Sequence, residues 1–197
     1  MAIFLILAPY GVFAVTMLVT SATTSLFAAA ATCLVAIAID VARGRSVKLL
    51  AAGSAILFAG LGLHLLVWQP MWSTSAVKLA VDTGIFLISL GSMLIRRPFT
   101  LQYAVEAVAA ETAAMPGFLR ANDIITGAWT AAALLMMAAN VAMLYVPGLP
   151  LWSSLAIAFA ARNSALYFTR WYPEYRRIKS EGAAATATPA IQQRGEA

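Results

Sequence analysis

Apolar residues run along this chain for about twenty positions at a time, the length that crosses a ~30 Å hydrocarbon core as an α-helix. Six such runs are legible, at 2–20, 24–39, 49–68, 76–95, 124–146 and 149–168. Turn chemistry separates them. A Thr/Ser stretch follows the first run, Gln69–Pro70 ends the third, Arg96–Arg97–Pro98 the fourth, and Pro147–Gly148 the fifth. Pro9 and Gly11 interrupt the first run early. The pattern predicts an all-α integral membrane protein, a bundle of six transmembrane helices forming one domain over 1–179.

Two segments fall outside that pattern. Between the fourth and fifth runs, Leu101, Val105 and Val108 would share one helical face, with Gln102 and Glu106 opposite. This predicts a short cytoplasmic interfacial helix at about 99–114, closed by Pro116–Gly117. Residues 180–197 are small and polar with one proline, and are expected to form a disordered cytoplasmic tail.

Composition narrows the class further. The chain is 62% hydrophobic and only 11% charged, with a mean hydropathy of +0.84. A soluble domain needs roughly 25% charged residues to cover a water-facing surface, so lipid must meet much of this one. Its +5 net charge reports orientation rather than a nucleic-acid partner, because no basic stripe is interleaved with aromatics. Arg43, Arg45 and Lys48 fall in one connection, Arg96, Arg97 and Arg120 in another, and Arg170, Arg176, Arg177 and Lys179 follow the last run. The alternate connections hold no basic residue. That alternation fits six spans with both termini cytoplasmic. The first run lacks a basic leader and is too long for a usual signal peptide, so it is expected to remain as a span. Cys33, the single cysteine, lies in mid-span and reads as packing.

Polar residues inside spans are the candidates for chemistry, since each is costly in lipid unless paired or solvated. Lys78 and Asp82 are four apart and share a face of the fourth span, either as an ion pair or as a polar site near the outer edge. His64 sits at comparable depth in the third span and could join them in an antiparallel hairpin. Arg162 and Asn163 lie deep in the sixth, and Asn140 in the fifth is a candidate interhelical hydrogen-bond partner. Small residues every four positions, as at Ala156, Ala160 and Ser164, mark packing faces. No catalytic set, cofactor motif or metal-ligand cluster is evident, and the chain has one histidine.

The order of several features resembles the intracellular septation protein A family of small bacterial inner-membrane proteins. These are Leu7-Ala8-Pro9 in the first span, Phe58-Ala59-Gly60-Leu61-Gly62-Leu63 in the third and Val77-Lys78-Leu79 opening the fourth. Arg96-Arg97-Pro98-Phe99 then closes it, and Trp129, Asn140 and Tyr145 follow in the fifth. The uncharged segment 68–75 and the deep Arg162 depart from that pattern. The resemblance implies a bacterial inner-membrane location and a non-enzymatic role in septation and envelope maintenance. That role would be exerted through division or envelope-synthesis membrane proteins as partners, beside the lipid bilayer itself, with a homo-oligomer as one form. Lys78, Arg96, Arg97, Trp129 and Asn140 would be its pattern residues. The competing expectation is a small transporter or channel with a polar outer vestibule at His64, Lys78 and Asp82, and Arg162 on the inner side.

Overall fold

The computed structural model describes residues 2–146 and 148–192, and among them every regular element is helical. The order is α1 (Ala2–Val19), α2 (Ala22–Ala42), α3 (Leu49–Trp68), α4 (Thr74–Leu94), α5 (Phe99–Ala104), α6 (Ala110–Ala113), α7 (Pro116–Tyr145) and α8 (Leu151–Gln192). A single turn of 3-10 helix, Val105–Ala107, follows α5. Four helices, α2, α3, α4 and α7, are long and apolar enough to cross a membrane. The apolar part of α1, Leu7–Val19, is shorter. Arg162, Asn163 and Ser164 interrupt the apolar stretch of α8 and lower its hydropathy below the others.

Local chemistry sets the helix ends. Ser21 and Ser73 precede α2 and α4, and their side chains accept from the Thr24 and Ala76 N–H groups, satisfying donors that a helix start leaves free. Pro116 occupies the first turn of α7, where its missing N–H has no partner to lose. Gln69 ends α3 in the left-handed region at φ 43°.

Consecutive long helices pack as neighbours: α1 on α2, α2 on α3, α3 on α4, α4 on α7 and α7 on α8. Short connections make the pairs α1–α2, α2–α3, α3–α4 and α7–α8 antiparallel. Two helix triplets result. Phe58, Leu26, Ala29 and Cys33 are at the centre of α1–α2–α3, where Val77 and Val81 of α4 join them. Ala132, Ala133, Met136, Ala161 and Ala165 centre α4–α7–α8. The connections holding Lys48 and Arg97 lie at one end of the bundle, called the basic end here.

The distribution of polarity is inverted relative to a water-soluble bundle. Val19, Ile56, Leu94 and Phe159 are each at least 74% exposed, whereas Ser25, Ser54, Ser89, Ser92, Thr126 and Asn140 are buried. Hydroxyl pairs join the helices inside: Ser89 with Thr130 at 2.6 Å, and Thr100 with Thr126 at 2.6 Å. Apolar exteriors over hydrogen-bonded interiors are what lipid selects.

Three expectations need correction. The single helix anticipated at 99–114 is broken into α5, the 3-10 turn and α6, and its polar residues Gln102 and Glu106 meet Leu49 and Lys48, as described below. Residues 180–192 continue α8 where a structureless tail was expected, consistent with the helix propensity of the alanines that fill this stretch; residues 193–197 lie outside the described residues. Lastly, α7 starts at Pro116 instead of near 124, because hydropathy marks the apolar part of a helix and not its start.

Candidate functional site

A polar layer crosses the bundle between its two triplets. On α4, Asp82 accepts a 2.6 Å hydrogen bond from Asn140 Nδ2 of α7, and the same amide donates to Met136 O. Arg162 and Lys78 both act electrostatically on Asp82. Neither forms an ion pair with it: those among the described residues are Arg45–Asp40, Arg45–Glu106, Lys48–Glu106 and Arg177–Glu174. The direct Lys78–Asp82 pair suggested by their spacing is therefore replaced by the Asn140 amide. Across the layer, the Arg162 guanidinium stands over the Tyr10 ring at 5.8 Å. Tyr10 in turn shares a 2.6 Å hydrogen bond with Ser54 of α3. The layer thus passes from α4 and α7 through α8 to α1 and α3.

Below this layer, toward the basic end, lies a cavity of about 340 Å³. Tyr10 and Arg162 line it beside the polar layer, Ile85 and Trp129 along its length, and Tyr103 and Asn122 near the basic end. Its walls are mainly apolar side chains of α1, α3, α4, α7 and α8. The Trp129 indole N–H donates to Thr169 Oγ1 at 3.0 Å, which fixes the ring between α7 and α8. Asn122 is buried and donates to Phe118 O at 3.0 Å. Ala121 and Ala133 are the small residues that α7 contributes to the cavity wall.

The segment from Phe99 to Ala107 closes the basic end. Phe99, Thr100, Tyr103 and Ala104 contribute to the cavity wall. The Gln102 side-chain oxygen accepts the Leu49 N–H at 2.7 Å, capping the start of α3 in place of its own N-cap residue, Lys48. Lys48 is only 1% exposed; its ammonium bonds Glu106 Oε1 and donates to Ser46 O at 2.8 Å. Arg45 approaches the second Glu106 oxygen at 3.8 Å and Asp40 at 3.6 Å. The Lys48 hydrogen bond holds the Glu106 carboxyl below its ordinary range, against a smaller opposing effect of burial. Burial pushes the Tyr103 phenol up, so it stays neutral. Gln102 and Glu106, read from the sequence as a solvent face, are the groups that fasten this segment to the α2–α3 connection.

Of the residues singled out in the sequence, Asp82, Asn140 and Arg162 share the polar layer, and Trp129 lines the cavity beneath. His64 does not join Lys78 and Asp82. Its ring lies instead 5.2 Å from Trp68 and 5.3 Å from Trp72, at the far end of α3. Arg96 and Arg97 are exposed at the corner between α4 and α5, with Arg96 at φ 55° and the Arg97 N–H bonded to Ser92 O. Tyr10, Lys48, Gln102, Glu106 and Asn122 were missed. No spacing rule marks them, because each takes its partner or its place from a distant element. Among the described residues no group of His, Cys, Asp and Glu is placed to hold a metal ion. No family model, curated protein or solved structure matches this chain.

Proposed function

We propose that the chain crosses a bilayer six times, through α1, α2, α3, α4, α7 and α8, and acts as a non-enzymatic membrane protein that holds a small, mainly apolar molecule. The observation that carries this reading is the cavity of about 340 Å³ between the two triplets. Well-packed helix interiors leave few voids larger than a water molecule, and ligand sites typically begin near 300 Å³. Apolar walls, a few polar groups at each end and a position between helices are the usual attributes of such sites. The basic connections favour cytoplasmic placement of the basic end and of both termini, which puts the cavity in the inner half of the bilayer and α5 along the cytoplasmic interface.

The transporter alternative shifts inward on this reading. His64 is engaged with tryptophans, so an outer vestibule lacks one of its three residues, while the cavity offers a place for cargo on the opposite side. Septation in a bacterial inner membrane is a second reading, favoured by the order of the Pro9, Lys78 and Arg96–Arg97–Pro98 features along the chain.

Binding of a neutral fluorophore tests the proposal. In lipid nanodiscs, 1-aminoanthracene should bind saturably above its partition into empty discs. Ala121→Phe, which fills the cavity from a half-buried position, should remove the saturable part. Partition identical to that of empty discs would overturn the reading.

A further inference from the structure

Arg162 brings a full charge to the cavity without a partner for its hydrogen-bond donors. It is partly buried and lines the space, and among the described residues no hydrogen bond or ion pair reaches its guanidinium. The face of Tyr10 satisfies the charge in part but accepts none of the five N–H donors. At eleven residues into α8, Arg162 sits about 16 Å from the start of that helix, by the ~1.5 Å rise per residue. Among the described residues no buried side-chain nitrogen or oxygen lacks a partner, so the Arg162 donors open onto the cavity and are free to meet what enters it.

Asp82 does not supply the missing partner. Its carboxylate takes the Asn140 amide, stands beyond ion-pair distance from Arg162, and is shared electrostatically with Lys78. Lys78, one turn from Asp82 on α4, is a second cation near that carboxylate, so the three groups together carry a single positive charge. Phospholipid phosphates are held at the bilayer surface and do not reach this depth. A planar guanidinium at the end of an apolar cavity matches a carboxylate on an apolar body, since its paired N–H groups fit both carboxylate oxygens.

Resting on the reading that the cavity holds a small molecule, we infer that its occupant is an apolar monoanion, an aromatic or medium-chain carboxylate. Its acid group bonds Arg162, and its body lies between Ile85 and Trp129 toward Tyr103. Charge complementarity selects the acid over the neutral or cationic form of the same body.

Calorimetric titration of the protein in phosphatidylcholine nanodiscs, with empty discs subtracted, tests this with three probes of one shape: 2-naphthoate, 2-naphthylmethanol and 2-naphthylmethylammonium. Naphthoate should bind about ten-fold or more tighter than the alcohol, the range expected for a charge-assisted bond, and the ammonium most weakly. Arg162→Gln should remove the preference for naphthoate over the alcohol, and Arg162→Lys should restore part of it. Equal binding of acid and alcohol by the wild type would overturn the anion assignment and leave the cavity reading intact. Binding of no probe at all would overturn both. The wild-type comparison decides the matter even where Arg162→Gln fails to fold. Discs containing phosphatidylglycerol distinguish a lipid source: unchanged naphthoate affinity supports a free acid, and competitive loss would assign the site to a lipid phosphate.

Discussion

Asn140 of α7 donates a 2.6 Å hydrogen bond to Asp82 of α4, joining two helices at a carboxylate placed well inside the bundle. Membrane hydrogen bonds between helices are usually modest, but a charged acceptor with no other side-chain donor among the described residues raises the penalty for losing one. Asn140→Leu keeps the number and branching of the side-chain heavy atoms and removes the donor. It is expected to lower stability by about 1–2 kcal/mol, read from thermal unfolding in detergent. In a double-mutant cycle, Asp82→Asn should show coupling to Asn140→Leu, whereas a cycle with the distant Arg97→Gln should be additive.

Protonation of Glu106 should loosen the closing segment. Its carboxyl lies below the ordinary value of 4.5 in the folded chain, chiefly because Lys48 donates to it. A depressed folded value means that the stabilisation is fully present above the ordinary range and is lost as pH falls through the folded value. The wild-type unfolding temperature should therefore decline below about pH 4.5 more steeply than that of Glu106→Gln, which has no such proton to take up. Parallel curves for the two proteins would contradict the role given to Glu106.

Gln102 caps a helix from more than fifty positions away in sequence. Gln102→Ala should cost about 1 kcal/mol, as loss of an ordinary cap does, and should raise hydrogen exchange at the first turn of α3. Gln102→Glu retains an acceptor oxygen and should recover most of that protection.

Close approach of α3 and α4 depends on a missing side chain. A Cβ at Gly84 would lie 2.3 Å from Leu57 Cδ1 and 2.9 Å from its Cγ, so the whole Leu57 side chain would have to move. Gly84→Ala is expected to destabilise the bundle by roughly 1–3 kcal/mol, with Leu57→Ala on the same chain relieving the clash. Gly91→Ala on the same helix, with nothing within 4 Å, should be neutral or slightly stabilising.

Much of the architecture could be read from the chain because lipid imposes a length rule. The runs at 49–68 and 76–95 coincide closely with α3 and α4, and Asn140 makes the interhelical bond its position suggested. Errors arose where tertiary partners override local pattern. Gln102 and Glu106 alternate with Leu101 and Val105 as an interfacial helix would require, yet the backbone breaks after Ala104 and turns both polar groups toward Leu49 and Lys48. Lys78 and Asp82 have ion-pair spacing, yet the side-chain partner of the carboxylate among the described residues is the Asn140 amide. The cavity had no signature at all: Tyr10, Ile85, Trp129 and Arg162 belong to four helices, and only their packing brings them to one space.

The cavity, the polar layer and the closing segment keep their meaning only if the two basic connections share one side of a bilayer. Single cysteines introduced into a Cys33→Ala background, probed with a membrane-impermeant maleimide on intact cells, test this directly. Cysteines at Gln69 and Gly148 should label on intact cells, whereas those at Gly44, Arg97 and Gly117 should label only after permeabilisation. Labelling of Gly44 and Gln69 from the same side would contradict the account.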